Sequence, residues 1–314
     1  MPKPTIAIAG GTGHLGKHIT TALLSKPFIP SFASIVLLTR QDVESSPEIP
    51  PSPHLQFRNY NSATDLAHAL SDIDILINAI GSSGHSFKET LLRAIPETNI
   101  QLYLPSEFGV NHYIHDFPHL EWDAKKRHDS LSRELLHPKV KICRVFCGLF
   151  MEDSIGPWFG LDTRDGRYES VGSSGEGVSF TGLGDVGRAV AGICRLFAER
   201  GAGEVPDKVH VAGDTRCISE VAKLMEREGG GPIEVTEVAL GEYKKRATEV
   251  VGSDPAAYLR FLMGEGKINH SPAGLGCDNE LVNPGGGVWK WKSLEELARE
   301  TQGRPWKDFE WQSR

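Results

Sequence analysis

The chain has 314 residues, 39% of them hydrophobic and 24% charged, with a formal net charge of -7. That length buries a large core and suits one main domain with a smaller one attached. The acidic balance gives no electrostatic footprint for nucleic acid or anionic lipid, so neither is expected as a partner. Five cysteines, an odd number that falls mostly in apolar segments, point to buried thiols in a reducing compartment. Met1 to Pro4 leads straight into an apolar strand without the pattern of a signal peptide, and no apolar run reaches membrane-spanning length. A cytoplasmic protein is expected.

Thr5 to Ala9 reads as a short buried strand that runs into Gly10-Gly11-Thr12-Gly13-His14-Leu15-Gly16 and then a helix from Leu15 to Leu24. In that context the glycine spacing is a dinucleotide-binding turn. Gly10 makes the tight turn, Gly13 lets the backbone approach a pyrophosphate, and Gly16 packs the helix on the strand. Phosphates would rest on the free N–H groups of Thr12, His14 and Leu15 at the helix start. A second strand, Ile35 to Leu38, ends in Thr39-Arg40, where an adenosine ribose falls. An arginine there suits the 2′-phosphate of NADP(H).

Asp42 to Pro53, rich in proline and serine, reads as a surface loop. Strand Leu55 to Arg58, helix Ala63 to Leu70 and strand Ile73 to Ala79 follow, and their alternation predicts an α/β fold with a doubly wound parallel Rossmann sheet. The fourth strand ends in Ala79-Ile80-Gly81-Ser82, small residues at the carboxyl edge where cofactors bind. A helix from His85 to Ile95 leads to a fifth strand, Ile100 to Leu104, and then to Pro105-Ser106-Glu107-Phe108-Gly109.

Taken together, the Gly-Gly-Thr-Gly-x-x-Gly start, the arginine after the second strand and Leu-Pro-Ser-Glu-Phe-Gly after the fifth resemble the isoflavone reductase and NmrA-like family of atypical short-chain dehydrogenases. Gly148 to Glu152 and Gly182 to Val190 also resemble family positions. None of the six tyrosines is followed by a lysine four positions later, so the Tyr-x-x-x-Lys pair of ordinary short-chain dehydrogenases is absent. The resemblance implies instead a lysine near the nicotinamide, on the helix after the Pro-Ser-Glu-Phe-Gly loop.

That helix contains Glu121-Trp122-Asp123-Ala124-Lys125-Lys126-Arg127-His128. At 100° per residue Ala124, His128, Leu131 and Leu135 form an apolar stripe, flanked by Lys125, with Lys126 turned away. Lys125 and His128 are the candidate catalytic residues, and Lys125 is also a cofactor contact. His112 and Tyr113, in the histidine-bearing loop 110–120, are expected to contact substrate; no helix face there has metal-ligand spacing, so no metal is expected. After a strand from Val140 to Val145, Cys147 stands where the family often carries asparagine and joins the expected cofactor contacts. Phe150, Met151 and Trp158 are expected to line an aromatic substrate site.

The expected division is an NADP-binding domain over 1–150, to which 181–212 returns, and a smaller substrate domain from 151–180 and 213–314. Within the latter, Ser219 is the expected N-cap of one helix, and Ser293 with Glu296 forms a capping box. The function implied is NADPH-dependent reduction of a medium-sized aromatic or conjugated metabolite by a monomer or homodimer. Two alternatives stand beside it: a regulator that senses NADP(H) without turnover, and an enzyme that uses the cofactor for rearrangement or cyclisation.

Overall fold

A computed structural model describes residues 2–40, 46–60, 62–81, 84–249 and 254–306. Six parallel strands, β1 (Thr5–Ala9), β2 (Ser34–Thr39), β3 (Leu55–Asn59), β4 (Ile75–Asn78), β5 (Leu102–Leu104) and β6 (Lys141–Ile142), lie in the order β3-β2-β1-β4-β5-β6. This is the doubly wound α/β Rossmann sheet expected from the alternating elements. The strand order reverses between β1 and β4, which opens a crevice at their carboxyl ends.

The strands are short apolar runs because both faces are covered. Ile6 and Ile8 pack on one side with Ile19, Leu23 and Val190, whereas Ala7 and Ala9 pack on the other with Leu66, Leu91 and Leu92. The first layer holds α1 (Gly16–Leu23) and the helix Leu183–Arg200; the second holds α2 (Ala63–Ala69), α3 (His85–Ala94) and α4 (Leu120–Leu136). Contact between the two helices of the first layer is close at Gly187, where a Cβ would strike the His18 backbone.

The predicted strand Val140 to Val145 is broken at Cys143. Up to Ile142 the chain pairs with β5, and the Cys143 N–H still reaches the Tyr103 carbonyl at 3.0 Å. From there β7 (Arg144–Phe146) pairs instead with Lys208–His210. The break is a change of partner, which no local pattern encodes.

The other strands form two small sheets, one with Arg167–Val171 at its centre and the other with Gly177–Thr181. Around them a third apolar cluster gathers Leu149, Met151, Tyr168, Phe180, Tyr258 and Phe261. Ser293 accepts from the Glu296 N–H at 3.2 Å while Glu296 accepts from the Ser293 N–H at 2.9 Å, the capping box read from their spacing. Ser219 is not an N-cap. The helix Ile218–Met225 starts earlier because Glu220 reaches back to the Cys217 N–H at 3.0 Å, and Ser219 bonds Ser174 instead.

Candidate active site

The glycine turn has the backbone its sequence demands. Gly10 adopts φ +80°, and a Cβ on Gly16 would overlap the Gly10 carbonyl. Those two positions are therefore closed to other residues by the protein itself. Gly13 differs: nothing but the Gly10 carbonyl, 3.2 Å away, would meet its Cβ. Its missing side chain leaves space outside the protein. Among the described residues, the N–H groups of His14, Leu15 and Gly16 have no acceptor. The turn thus presents unpaired donors at a helix start, the chemistry of an anion cradle.

In front of it lies a cavity of about 890 Å³ lined by Gly10, Thr12, Gly13, Arg40, Ala79, Ile80 and Gly81, all expected cofactor contacts. Ser82 lies outside the described residues. Arg40 is exposed at the cavity edge and, among the described residues, has no ion-pair partner. Tyr60 and Phe87, which sequence reasoning missed, form part of the wall, stacked at 4.9 Å with their planes 9° apart. One residue follows β3 and the other sits on α3, so only the fold brings them together. His14 points elsewhere: its Nε2 lies 2.7 Å from Asp153 Oδ2, joining the glycine turn to the short helix Met151–Ser154.

The loop after β5 is tied to the loop after β4 by the Ser106 hydroxyl, which donates to the Ile80 carbonyl at 2.7 Å. Beside it Lys125 Nζ donates to the Glu107 carbonyl at 3.3 Å. A small crevice is lined by Lys88, Pro105, Ser106, Glu107, Lys125 and His128.

The face of α4 differs from the predicted one. Trp122, Asp129, Ser132 and Leu136 are its buried residues, so Lys125, three positions after Trp122, lies within the buried stripe and does not flank it. The polar members misdirected the reading. Asp129 is buried because it pairs with Arg133 at 3.0 Å and Arg144 at 3.6 Å, and Ser132 because it donates to the His128 carbonyl at 2.7 Å. Lys126 pairs with Asp123 at 3.4 Å. His128 turns toward the sheet, with Nε2 2.9 Å from the Tyr103 hydroxyl. That hydroxyl accepts from Asn78 Nδ2 at 3.1 Å, and Asn78 Oδ1 in turn accepts from the Ile80 N–H at 3.2 Å. Complete burial pushes the Tyr103 phenol far above its ordinary value, so it stays a neutral hydrogen-bonding group.

Of the expected contacts, His112, the Glu107 carboxyl, Phe108, Cys147 and Met151 are withdrawn into the interior and are corrected here, whereas Tyr113 is half-buried. His112 is 0% exposed, and its Nε2 lies 3.3 Å from Glu107 Oε2. Tyr113 donates to Glu107 Oε1 at 3.0 Å and lies under the Arg144 guanidinium, 4.6 Å from its ring centre. The Glu107 carboxyl is therefore turned inward, 2% exposed, and burial raises it above the ordinary carboxylate range. Only its backbone faces Lys125. Phe108 and Cys147 are core residues of the first layer, and burial pushes the Cys147 thiol up to about 12. Met151 is fully buried in the third cluster, whereas Phe150 and Trp158 are half-buried, the Trp158 indole donating to the Asp153 carbonyl at 2.9 Å. Hydrophobic type marked these residues as lining, but depth depends on strands distant in sequence.

Buried histidines make a prediction about acid stability. Burial lowers His112 to about 2, His115 to about 3 and His210 to about 4, with nearby lysines or histidines adding to the effect. In the unfolded chain each takes a proton near pH 6.5. Below that pH the unfolded state binds more protons, so stability is full above 6.5 and falls toward pH 4, by up to about 1.4 kcal/mol per pH unit for each group. Glu107 and Asp185, raised by burial, bind protons in the folded state and reduce the net slope. Urea midpoints should drop from pH 7 to pH 5; equal midpoints would show that the folded chain takes up as many protons as the unfolded chain over this range.

Among the described residues no group of three or more histidine, cysteine, aspartate or glutamate side chains is arranged to hold a metal, and no helix is long and apolar enough to cross a membrane.

The chain is 32% identical over 114 residues to an isoflavone reductase homolog of Nicotiana tabacum, a match covering 35% of this chain and 36% of the relative's length. The fold extends much further. A crystal structure of an isoflavone reductase superposes with a TM-score of 0.74 at 20% identity, covering 95% of this chain and 99% of the other. A binary complex of leucoanthocyanidin reductase with NADPH from Vitis vinifera gives 0.71 at 18% identity, again covering 95% and 99%. The NmrA-like family model matches residues 2–267. The strand order, the glycine turn and this match over most of the sequence lead to one conclusion: the chain belongs to the NmrA-like family.

Proposed function

We propose that the chain is an NADPH-dependent reductase of a medium-sized aromatic or conjugated small molecule. The observation that carries this reading is the position of Lys125, within the buried stripe of α4 and bonded to the Glu107 carbonyl, on the loop that Ser106 ties to the cavity wall at Ile80. A cofactor reaching along the sheet edge from Arg40 past the glycine turn would bring its far end to this loop. The names of the isoflavone reductase homolog and of the NADPH-bound leucoanthocyanidin reductase support the same class of cofactor and substrate.

The residues fit the group. The N–H donors at the start of α1 and the Arg40 guanidinium, which have no partner among the described residues, suit a pyrophosphate and a 2′-phosphate. Tyr60 and Phe87 offer an aromatic wall to the adenosine half. The reduced cofactor supplies a hydride when bound. Lys125 then holds a proton at Nζ, oriented by the Glu107 carbonyl, and gives it to the substrate atom that accumulates negative charge. Lys125 is half-buried and lines the crevice beside Ser106, Glu107 and His128.

The test is direct. NADPH absorbance is followed with the purified protein and a panel of enones, imines and quinones, and consumption with at least one class is expected. Saturable NADPH binding with no consumption in any case would overturn the reductase reading in favour of a cofactor-sensing protein.

A further inference from the structure

Lys88 is a charged side chain of the crevice that the sequence does not single out. It projects from α3, is only 4% exposed and, among the described residues, has neither a hydrogen-bond nor an ion-pair partner. A buried ammonium without an anion is costly. The polar groups around it are engaged elsewhere: the Ser106 hydroxyl with the Ile80 carbonyl, Lys125 Nζ with the Glu107 carbonyl, and His128 Nε2 with the Tyr103 hydroxyl. Glu107, the one acid of the crevice wall, turns its carboxyl inward to Tyr113 at 3.0 Å and His112 at 3.3 Å. The space enclosed by Lys88, Lys125, His128 and the turn Pro105 to Glu107 is about 10 Å³. That is room for one water-sized atom or ion. Two lysines line it and no carboxylate answers them, so the occupant it suits is small and negative. Burial above all lowers Lys88 to about 8, which leaves it charged at neutral pH.

We propose that this crevice is a subsite for one negatively charged oxygen of the substrate, with Lys88 supplying the unshared positive charge that holds it. The inference rests on the reductase reading above and narrows its substrate to conjugated carbonyl compounds, enones and quinones. Hydride addition to the conjugated carbon breaks a π bond and leaves its electron pair, through the conjugated system, on the carbonyl oxygen. Lys125 Nζ then gives that oxygen a proton, keeping the electron pair of the broken N–H bond, and solvent returns a proton to the amine. Lys88 keeps its own proton throughout and stabilises the charged oxygen until the transfer is complete. An imine fits less well, because its nitrogen is reduced most readily as a cation, which two lysines in so small a space repel.

The experiment follows chloride binding to the full chain by ³⁵Cl NMR line broadening, in wild type and in Lys88→Met. The variant is expected to fold, since it removes a buried charge that has no partner. Part of the wild-type broadening should be lost in it. The N–H cradle of α1 and Arg40 attract chloride equally in both proteins, so the difference belongs to the crevice. Acetate, which presents a charged oxygen, should displace that part of the bound chloride with an affinity roughly tenfold or more above that of acetamide, its neutral isostere. Equal broadening in wild type and folded Lys88→Met would overturn the subsite. Chloride displaced by neither compound, or by both alike, would overturn the charged-oxygen assignment. If Lys88→Met does not fold, Lys88→Gln replaces it, and the comparison of acetate with acetamide in wild type decides by itself. Because this readout needs no turnover, an acetate-selective site without NADPH consumption would support the anion subsite while overturning the reductase reading. NADPH consumption with imines alone would overturn the inference and keep that reading.

Discussion

Arg40→Asp is expected to reduce NADPH affinity by roughly 10- to 100-fold while leaving NADH affinity unchanged or improved. Arg40 stands at the carboxyl end of β2, exposed at the edge of the cavity, with no ion-pair partner among the described residues. Hydrogen bonds to a charged group contribute about 1.5–3 kcal/mol, and each 1.4 kcal/mol is a tenfold change in affinity. Solvent screening at an exposed site favours the lower part of that range. The introduced carboxylate acts in the other direction on the two cofactors: it repels a 2′-phosphate but can accept a hydrogen bond from a 2′-hydroxyl. Fluorescence titration of both reduced cofactors measures the change. An unaltered preference would remove Arg40 from the site and leave NADP(H) selection to residues elsewhere in the cavity. The stacked pair Tyr60 and Phe87 gives a contrast within the same cavity, because an adenine is common to both cofactors and its loss weakens both equally.

The parts of the molecule legible in the sequence are those whose constraint is local. Gly10 needs a positive φ and Gly16 needs the absence of a Cβ, so their spacing after an apolar strand carries the turn without any knowledge of the fold. Arg40 is legible for a related reason, since the end of β2 in this topology has a fixed relation to that turn. The strand and helix alternation likewise gives the sheet and its two covering layers.

Depth and partnership are where the reading fails. Asp129 and Ser132 look like solvent residues, and counting them so rotates the face of α4; their burial depends on Arg144 in β7 and on the helix's own backbone. His112 and Glu107 look like a polar site but are buried in the interior, where His112 Nε2 lies 3.3 Å from Glu107 Oε2 and Tyr113 donates to Oε1. Lys88 has the composition of an exposed helix position, and only the approach of α4 and the Pro105 to Glu107 loop covers it. For Asp129 and Lys88 the covering neighbours come from another element, information that periodicity does not contain.

The same geometry separates the two candidate catalytic side chains of α4, and the expected result is asymmetric. Lys125→Met should lower kcat by on the order of 10²- to 10⁴-fold, the range of a lost general acid, while NADPH binding stays within a few-fold. His128→Phe should retain most of the turnover and instead lower stability. Its Nε2 is the partner of the Tyr103 hydroxyl, and Tyr103 is wholly buried. Removing the imidazole leaves that hydroxyl, among the described residues, with the Asn78 amide alone, a loss worth about 1–3 kcal/mol for a buried O–H without an acceptor. The disturbance also runs through Asn78 to the Ile80 N–H on the cavity wall, so a modest rise in KM for NADPH accompanies it. Chemical denaturation and steady-state kinetics, with a substrate found in the NADPH panel, measure both effects. A collapse of kcat in His128→Phe with normal stability and an active Lys125→Met would exchange the two roles. It would also require the His128 ring to leave Tyr103 and turn into the crevice during turnover.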